Sequence, residues 1–170
     1  MTTLPEVRIR AIEPEDLDAL YIIENDEELW NVGTTNVPYS RYALHDFVAH
    51  SAGDIFQDKQ VRLMIENGQN EVIGIIDVMN FDPQHLRAEV GIVIQKPWRN
   101  RHYGTAAVTK IEKYALQVLH LHQLYAYIGA DNHASLRLFE KCGFSHASTM
   151  QDWLYDGIKY HDAVVMQKIF

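Results

Sequence analysis

The sequence predicts an α+β domain in which one mixed, mostly antiparallel sheet carries helices on both faces. Three observations predict it. Strand-like segments flank the dipeptides Asn67-Gly68 and Asp156-Gly157, whose residues tolerate positive φ, so each marks an antiparallel hairpin. Between the hairpins the pattern becomes strand, helix, strand, helix, an alternation that gives a mixed sheet with helices packed on it. The chain has 170 residues, 47% of them hydrophobic and 22% charged, which suits one domain over residues 1–170 with a full core.

The elements follow in order. Val7 and Ile9 alternate with Arg8 and Arg10, so Glu6–Ala11 reads as a strand. Glu13-Pro14-Glu15-Asp16 opens a helix, with proline in the first turn and acids where the helix dipole favours them, and Leu17, Leu20, Tyr21 and Glu24 continue it. Residues 25–39 are irregular. Ser40 caps a second helix carrying Tyr42, Leu44, Phe47 and Val48, which Gly53 interrupts or ends. Val61–Glu66 and Glu71–Asn80 form the first hairpin, residues 81–86 a loop, and Arg87–Ile94 the third strand of a meander. Gln123–Ile128 is a further strand, and residues 147–155 and 159–169 close the chain as a hairpin.

The segment from Glu89 to Val118 carries the chemistry. Its apolar strand stops at Pro97, which has no N–H for a ladder. Arg99, Arg101 and His102 follow, then Tyr103, Gly104, Thr105 and Ala106 at the start of a helix whose Val108, Ile111, Ala115, Val118 and Leu119 share a face. First-turn amides have no partners inside the helix and carry the positive end of its dipole, so a small-residue turn beside arginines is a site for phosphate groups. An ordinary solvated turn would show the same pattern. Neither the Gly-x-x-x-x-Gly-Lys nor the Gly-x-Gly-x-x-Gly signature is present.

This turn resembles motif A of the GNAT superfamily of N-acetyltransferases, with Arg99 at its first position, Gly104 at its last and His102 where a glycine is usual. Residues 131–144 resemble that family's motif B: Asn132 opens a helix, Phe139 lies within it, and Gly143-Phe144 ends it. The resemblance implies acetyl-CoA as cosubstrate and no metal. It implies that Arg99, Arg101, His102, Tyr103, Gly104, Thr105, Ala106 and Asn132 hold the cofactor. The strands Arg87–Ile94 and Gln123–Ile128 are then parallel neighbours that splay apart, freeing backbone groups of Ile92, Val93 and Ile94 for the pantetheine arm.

An alkylammonium titrates near pH 10, so transfer to an amine asks for a base. Glu89 is the candidate, accepting the proton through water as similar glutamates do; a glutamate paired with Arg87 is the plain alternative. Relatives protonate the leaving sulfur with a tyrosine where this chain has Phe139, leaving Tyr103, Tyr127 or water for that task and Phe139 to pack against the cofactor arm. A thiol of pKa near 8.5 also leaves largely unassisted. Cys142, at a helix end, reads as a packed thiol rather than a nucleophile. The nine histidines show no helical i, i+4 pair with a clustered partner, so no metal is expected.

The resemblance builds the acceptor site from the first two helices, their loop and the closing hairpin. That loop holds Glu24, Asp26, Glu27, Glu28 and Trp30, which suit a polycation through charge and cation–π contact, or else form a solvated acidic loop. The pattern is similar to both the spermidine/spermine N-acetyltransferases and the ribosomal-protein N-terminal acetyltransferases; the acids favour a polyamine over a peptide N-terminus. A catalytically impaired acyl-CoA-binding protein is the third reading, motivated by His102 and Phe139. A net charge of −8 disfavours nucleic acid, the apolar runs are too short to cross a membrane, and a single cysteine fits the cytoplasm. A homo-oligomer is compatible with all of this.

Overall fold

The computed structural model describes residues 3–30, 38–51 and 53–170. Part of the irregular stretch expected between Asn25 and Tyr39 lies outside them. Seven strands form one sheet in the order β1-β2-β3-β4-β5-β7-β6, with β1 Val7–Ala11, β2 Val61–Asn67, β3 Val72–Asp82, β4 Arg87–Ile94, β5 Gln123–Gly129, β6 Ser145–Tyr155 and β7 Tyr160–Ile169. All neighbours are antiparallel except β4 and β5. The sheet and its single parallel pair agree with the sequence.

Helices cover both faces, as the strand pattern requires. The α1 helix (Leu17–Glu24) and α2 (Arg41–His50) put Leu20, Ile23 and Leu44 on Met64 and Ile75. On the other face, α4 (Tyr103–Gln117) and α5 (His133–Lys141) put Ala107, Val108, Ile111 and Phe139 on Ile65, Ile76, Ala88 and Val90. Alternate residues of β4 and β5 therefore belong to opposite layers: Ala88, Val90, Leu124 and Ala126 enter the α4–α5 core, while Glu89, Tyr125 and Tyr127 stand on the α1–α2 face.

Several local expectations change. Pro14–Asp16 forms a 3-10 turn ahead of α1, and Asp16 there receives a two-pronged bond from Arg10 at 2.6 and 2.8 Å, tying the turn to β1. A one-turn helix α3 (Ile55–Asp58) follows Gly53; its length gave too little periodicity to read. The Asn67-Gly68 hairpin forms, but not as a two-residue turn. Asn67 stays in β2, its side chain accepts from the amides of Gln69 and Glu71, and the left-handed residue is Asn70 at φ 61°. Strand β3 runs on to Asp82 through an irregularity between Met79 and Asp82, so the loop expected from Phe81 begins later. At the closing hairpin Gly157 takes φ 95° as its turn requires.

Gly74 marks the closest approach in the sheet. A Cβ there would lie 2.2 Å from the carbonyl oxygen of Val93, a backbone atom that cannot step aside without moving β4. Gly74→Ala is expected to lower unfolding stability by about 2 kcal/mol or more in urea denaturation, as overpacking at a rigid contact does. Unchanged stability would show that the β3–β4 ladder gives way freely.

Candidate functional site

The site is centred where β4 and β5 part. The two strands pair over only three positions, Arg87–Gln123, Ala88–Leu124 and Glu89–Tyr125. Beyond Glu89, β4 keeps its ladder to β3, and beyond Tyr125, β5 keeps its ladder to β7, so the sheet stays continuous on both sides of a V-shaped opening. Glu89 and Tyr125 stand side by side at its apex.

The ladder settles which backbone groups face the opening. Gln95 donates to the Ile73 carbonyl at 2.9 Å, so the pairs in that register, Ile75–Val93 and Asp77–Gly91, are the hydrogen-bonded ones. Val90, Ile92 and Ile94 therefore point their N–H and C=O groups away from β3. Of the three residues expected to bind the pantetheine arm, Val93 is excluded by this alternation. The Ile94 carbonyl is occupied as well, because Arg99 Nε donates to it at 2.8 Å. Ile92 and the Ile94 amide are what the opening offers.

The turn after β4 is built from two left-handed residues, Asn100 at φ 60° and His102 at φ 64°. The second explains why a glycine suits the position of His102. His102 is also the N-cap of α4, and its side chain makes no capping bond, whereas Ser40 and Asn132 cap α2 and α5. The first amides of α4 (Tyr103, Gly104 and Thr105) thus keep free donors beside Arg99, Arg101 and His102. That donor set fits a pyrophosphate. Gly104 contributes differently than its size suggested: a Cβ there would meet Leu138 at 3.1 Å, so it lets α4 and α5 close on each other. Ala106 is buried in the core, while Tyr103 packs edge-to-face on Trp98 at 5.6 Å. The ring of Tyr103 joins the α4–α5 layer, and the structure does not bring it together with Glu89.

Across the opening, Asn132 starts α5. Its side-chain oxygen accepts from the Ser135 amide at 3.2 Å, and its amide nitrogen has no partner among the described residues. Phe139 is 2% exposed and meets Phe144 edge-to-face at 5.0 Å. It is core, and the expectation that it packs against the cofactor arm fails because its ring is already enclosed. Cys142 is buried too, and burial pushes its thiol up to about 11, the state of an inert packing thiol.

The acids of the α1–α2 connection are mostly engaged. Glu24 pairs with Arg62, which also binds Asp77 at 2.8 Å, and burial nevertheless pushes the Glu24 carboxyl up. Glu28 accepts from Lys96 at 2.8 Å, and Arg99 lies between Asp26 and Glu28 at 3.9 and 3.7 Å. Glu27 is exposed without a recorded partner among the described residues, and the indole N–H of Trp30 is buried without one. The acidic cluster expected to await a polycation is thus largely met by the chain's own cations, a long-range pairing no local pattern reveals.

Glu89 differs. Burial pushes its carboxyl above the usual range, and no cation among the described residues reaches it; its partner is the amide of Asn80 at 2.7 Å. Burial also raises Tyr125, with the Glu89 charge adding to the effect. Tyr125 touches Tyr127 edge-to-face, and Tyr127 stacks on Trp153. A cavity of about 440 Å³ opens on this face, lined by Phe47, Arg62, Asp77 and Met79 among others; Met79 is the cross-strand neighbour of Glu89. No helix among the described residues is long and apolar enough to cross a membrane.

The chain is similar to known proteins over nearly its whole length. A family model of the acetyltransferase (GNAT) domain matches residues 6–145. Spermidine N(1)-acetyltransferase of Vibrio cholerae is 20% identical over 157 residues, covering 92% of this chain and 89% of that protein. The putative ribosomal N-acetyltransferase YdaF of Bacillus subtilis is 28% identical over 165 residues, covering 93% and 88%. In fold, the crystal structure of the Vibrio cholerae spermidine N-acetyltransferase in complex with CoA and spermine has a TM-score of 0.87 at 21% identity, over 96% of this chain and 95% of that one.

The enclosed ring of Phe139 yields a test. Phe139→Tyr would bury a hydroxyl without a partner and is expected to cost about 1–3 kcal/mol of stability in urea denaturation. Full stability would mean that the ring can turn toward the opening.

Proposed function

This chain belongs to the GNAT family of acetyltransferases, and we propose that it moves the acetyl group of acetyl-CoA to a primary amine by direct attack in a ternary complex. The observation that carries the proposal is the opening between β4 and β5 with an ionisable, cation-free Glu89 at its apex. Acetyl-CoA supplies an activated acyl carbon and a thiol leaving group. Arg99, Arg101 and the first amides of α4 bind its pyrophosphate. Ile92 and the Ile94 amide extend the β4 edge along its arm, and Asn132 Nδ2 donates from the far wall.

Glu89 takes a proton from the acceptor ammonium, directly or through one water, so that the neutral nitrogen forms the new C–N bond as the C–S bond breaks. The acceptor approaches on the α1–α2 face, where the cavity beside Met79 and the aromatic row Tyr125, Tyr127 and Trp153 adjoin Glu89. A polyamine such as spermidine is the acceptor favoured by the relatives of 20–24% identity, and aromatic faces suit an alkylammonium. A peptide N-terminus is the second reading. It gains from the pairing of Asp26 and Glu28 with Arg99 and Lys96, which lowers the net negative charge of that loop.

Thiol release from acetyl-CoA with spermidine, with a short peptide and with neither decides between them. Turnover confined to spermidine is expected; turnover with the peptide alone would discard the polyamine, and silence with bound acetyl-CoA would discard catalysis. Because Glu89 must be ionised to act and its carboxyl is held high by burial, activity is expected to fall as pH drops through that raised value. Glu89→Gln is expected to remove this limb and slow turnover at neutral pH by about 100-fold, with acetyl-CoA affinity by calorimetry unchanged.

A further inference from the structure

We propose that Asn80 is a positioning residue for Glu89: a bulge in β3 delivers its side-chain amide to the carboxylate at the apex of the opening and fixes the carboxylate's direction. The inference rests on the reading of Glu89 as the base.

The delivery is visible in the backbone. Met79 pairs with Glu89, and the next regular pair is Asp82 with Arg87, so the register slips between them. Asn80 sits in that slip at φ 49°, a left-handed conformation that non-glycine residues adopt at a cost and that asparagine tolerates best. In a regular strand Asn80 would project to the side opposite Met79 and Glu89. The bulge instead brings Nδ2 to 2.7 Å from Glu89 Oε2. The same slip turns Phe81 into the core, where its amide donates to the Lys59 carbonyl at 3.0 Å, so packing helps hold the bulge; left-handed strain beside an ionisable group is of the kind found at functional sites.

The groups around Glu89 explain why an amide is needed. On β3, Asp77 shares its face but is bound by Arg62, and Asp82 beyond the bulge pairs with Arg87 at 3.2 Å. On β5, Tyr125 is its register partner and is held neutral by burial. Arg87 lies two residues back on β4 and is turned to Asp82. Burial therefore acts on Glu89 without a compensating cation among the described residues, and the donor on Asn80 opposes it by favouring the ionised form. A lysine or arginine in its place would favour that form far more, depressing the basicity a proton acceptor needs. A neutral donor steers the carboxylate and leaves it basic.

Two variants separate the side chain from the bulge. Asn80→Gly keeps the left-handed backbone and removes the amide; Asn80→Asp keeps the shape and sets a second carboxylate against Glu89. The measurement is kcat/KM for the amine against pH in wild type, both variants and Glu89→Gln, with thermal melting to match fold. The acid limb is expected to move to higher pH in Asn80→Gly and further in Asn80→Asp. At the acid end the rate of Asn80→Gly is expected to be about tenfold lower, the size of one bond to a charged group, with convergence at alkaline pH. An unmoved limb in Asn80→Gly, with Glu89→Gln abolishing it, would overturn the role of Asn80 alone. A wild-type limb in Glu89→Gln would overturn the base itself.

Discussion

Everything functional in this fold depends on a parallel pairing that stops after three positions. Two strands that part must each find another partner for their outer edge, or their backbone groups go unmet. Here β3 holds β4 from Glu89 to Ile94 and β7 holds β5 along its whole length, so the opening disturbs neither ladder. The antiparallel alternation on β3 then decides that Ile92 and Ile94, not Val93, face the gap. Close contact at Gly74 keeps the splayed half of β4 pinned to β3. The cleft is a consequence of sheet order and register before any side chain is considered.

Charge is arranged around that cleft in two ways. Structural carboxylates are bound by guanidinium groups: Asp16 by Arg10, Asp77 and Glu24 by Arg62. Such pairs fix an orientation, and Arg10 holds the Asp16 carboxyl below its usual range. Glu89 receives a neutral amide, so burial wins and the carboxyl stays basic. Arg99 stands between the two regimes. It bonds the end of β4 and lies within 4 Å of Asp26 and Glu28, linking the phosphate turn to the loop near the acceptor face. In the proposed cofactor placement, a pyrophosphate at the turn would meet an arginine already held in place by β4 and partly screened by those two carboxylates.

The sequence made legible what is local or strongly periodic. The strand, basic turn and helix around Arg99, the capped helix from Asn132 to the left-handed Gly143, and the Asp156-Gly157 hairpin appear as expected, whereas the hairpin at Asn67-Gly68 turns through a left-handed Asn70 instead. What it hid depends on partners far along the chain. Glu24 and Arg62 are 38 residues apart, and Lys96 and Glu28 are 68 apart, so an acidic run looked unpaired. Gly104 appeared to make room for a ligand and in fact makes room for Leu138. Asn80 read as the last residue of a strand, because a bulge leaves no mark on alternation except a residue that tolerates positive φ.

The loss of the usual tyrosine at Phe139 takes its meaning from packing. Its ring is enclosed against Phe144, and the residues after it, Cys142 and Gly143, close the same layer, Cys142 through a carbonyl bonded by Lys168 at 2.6 Å. A phenol there would strand its hydroxyl, so this core and that proton donor exclude one another. In the proposed reaction, proton delivery to the leaving sulfur then falls to water or to a group on the opposite face, where Tyr125 stands beside Glu89 with its hydroxyl kept neutral by burial. The demand is modest: a thiol that ionises near pH 8.5 departs with little help, while an ammonium near pH 10 must be deprotonated first. In the proposed reaction the burden therefore falls on the base. The fold places a left-handed bulge at that same point.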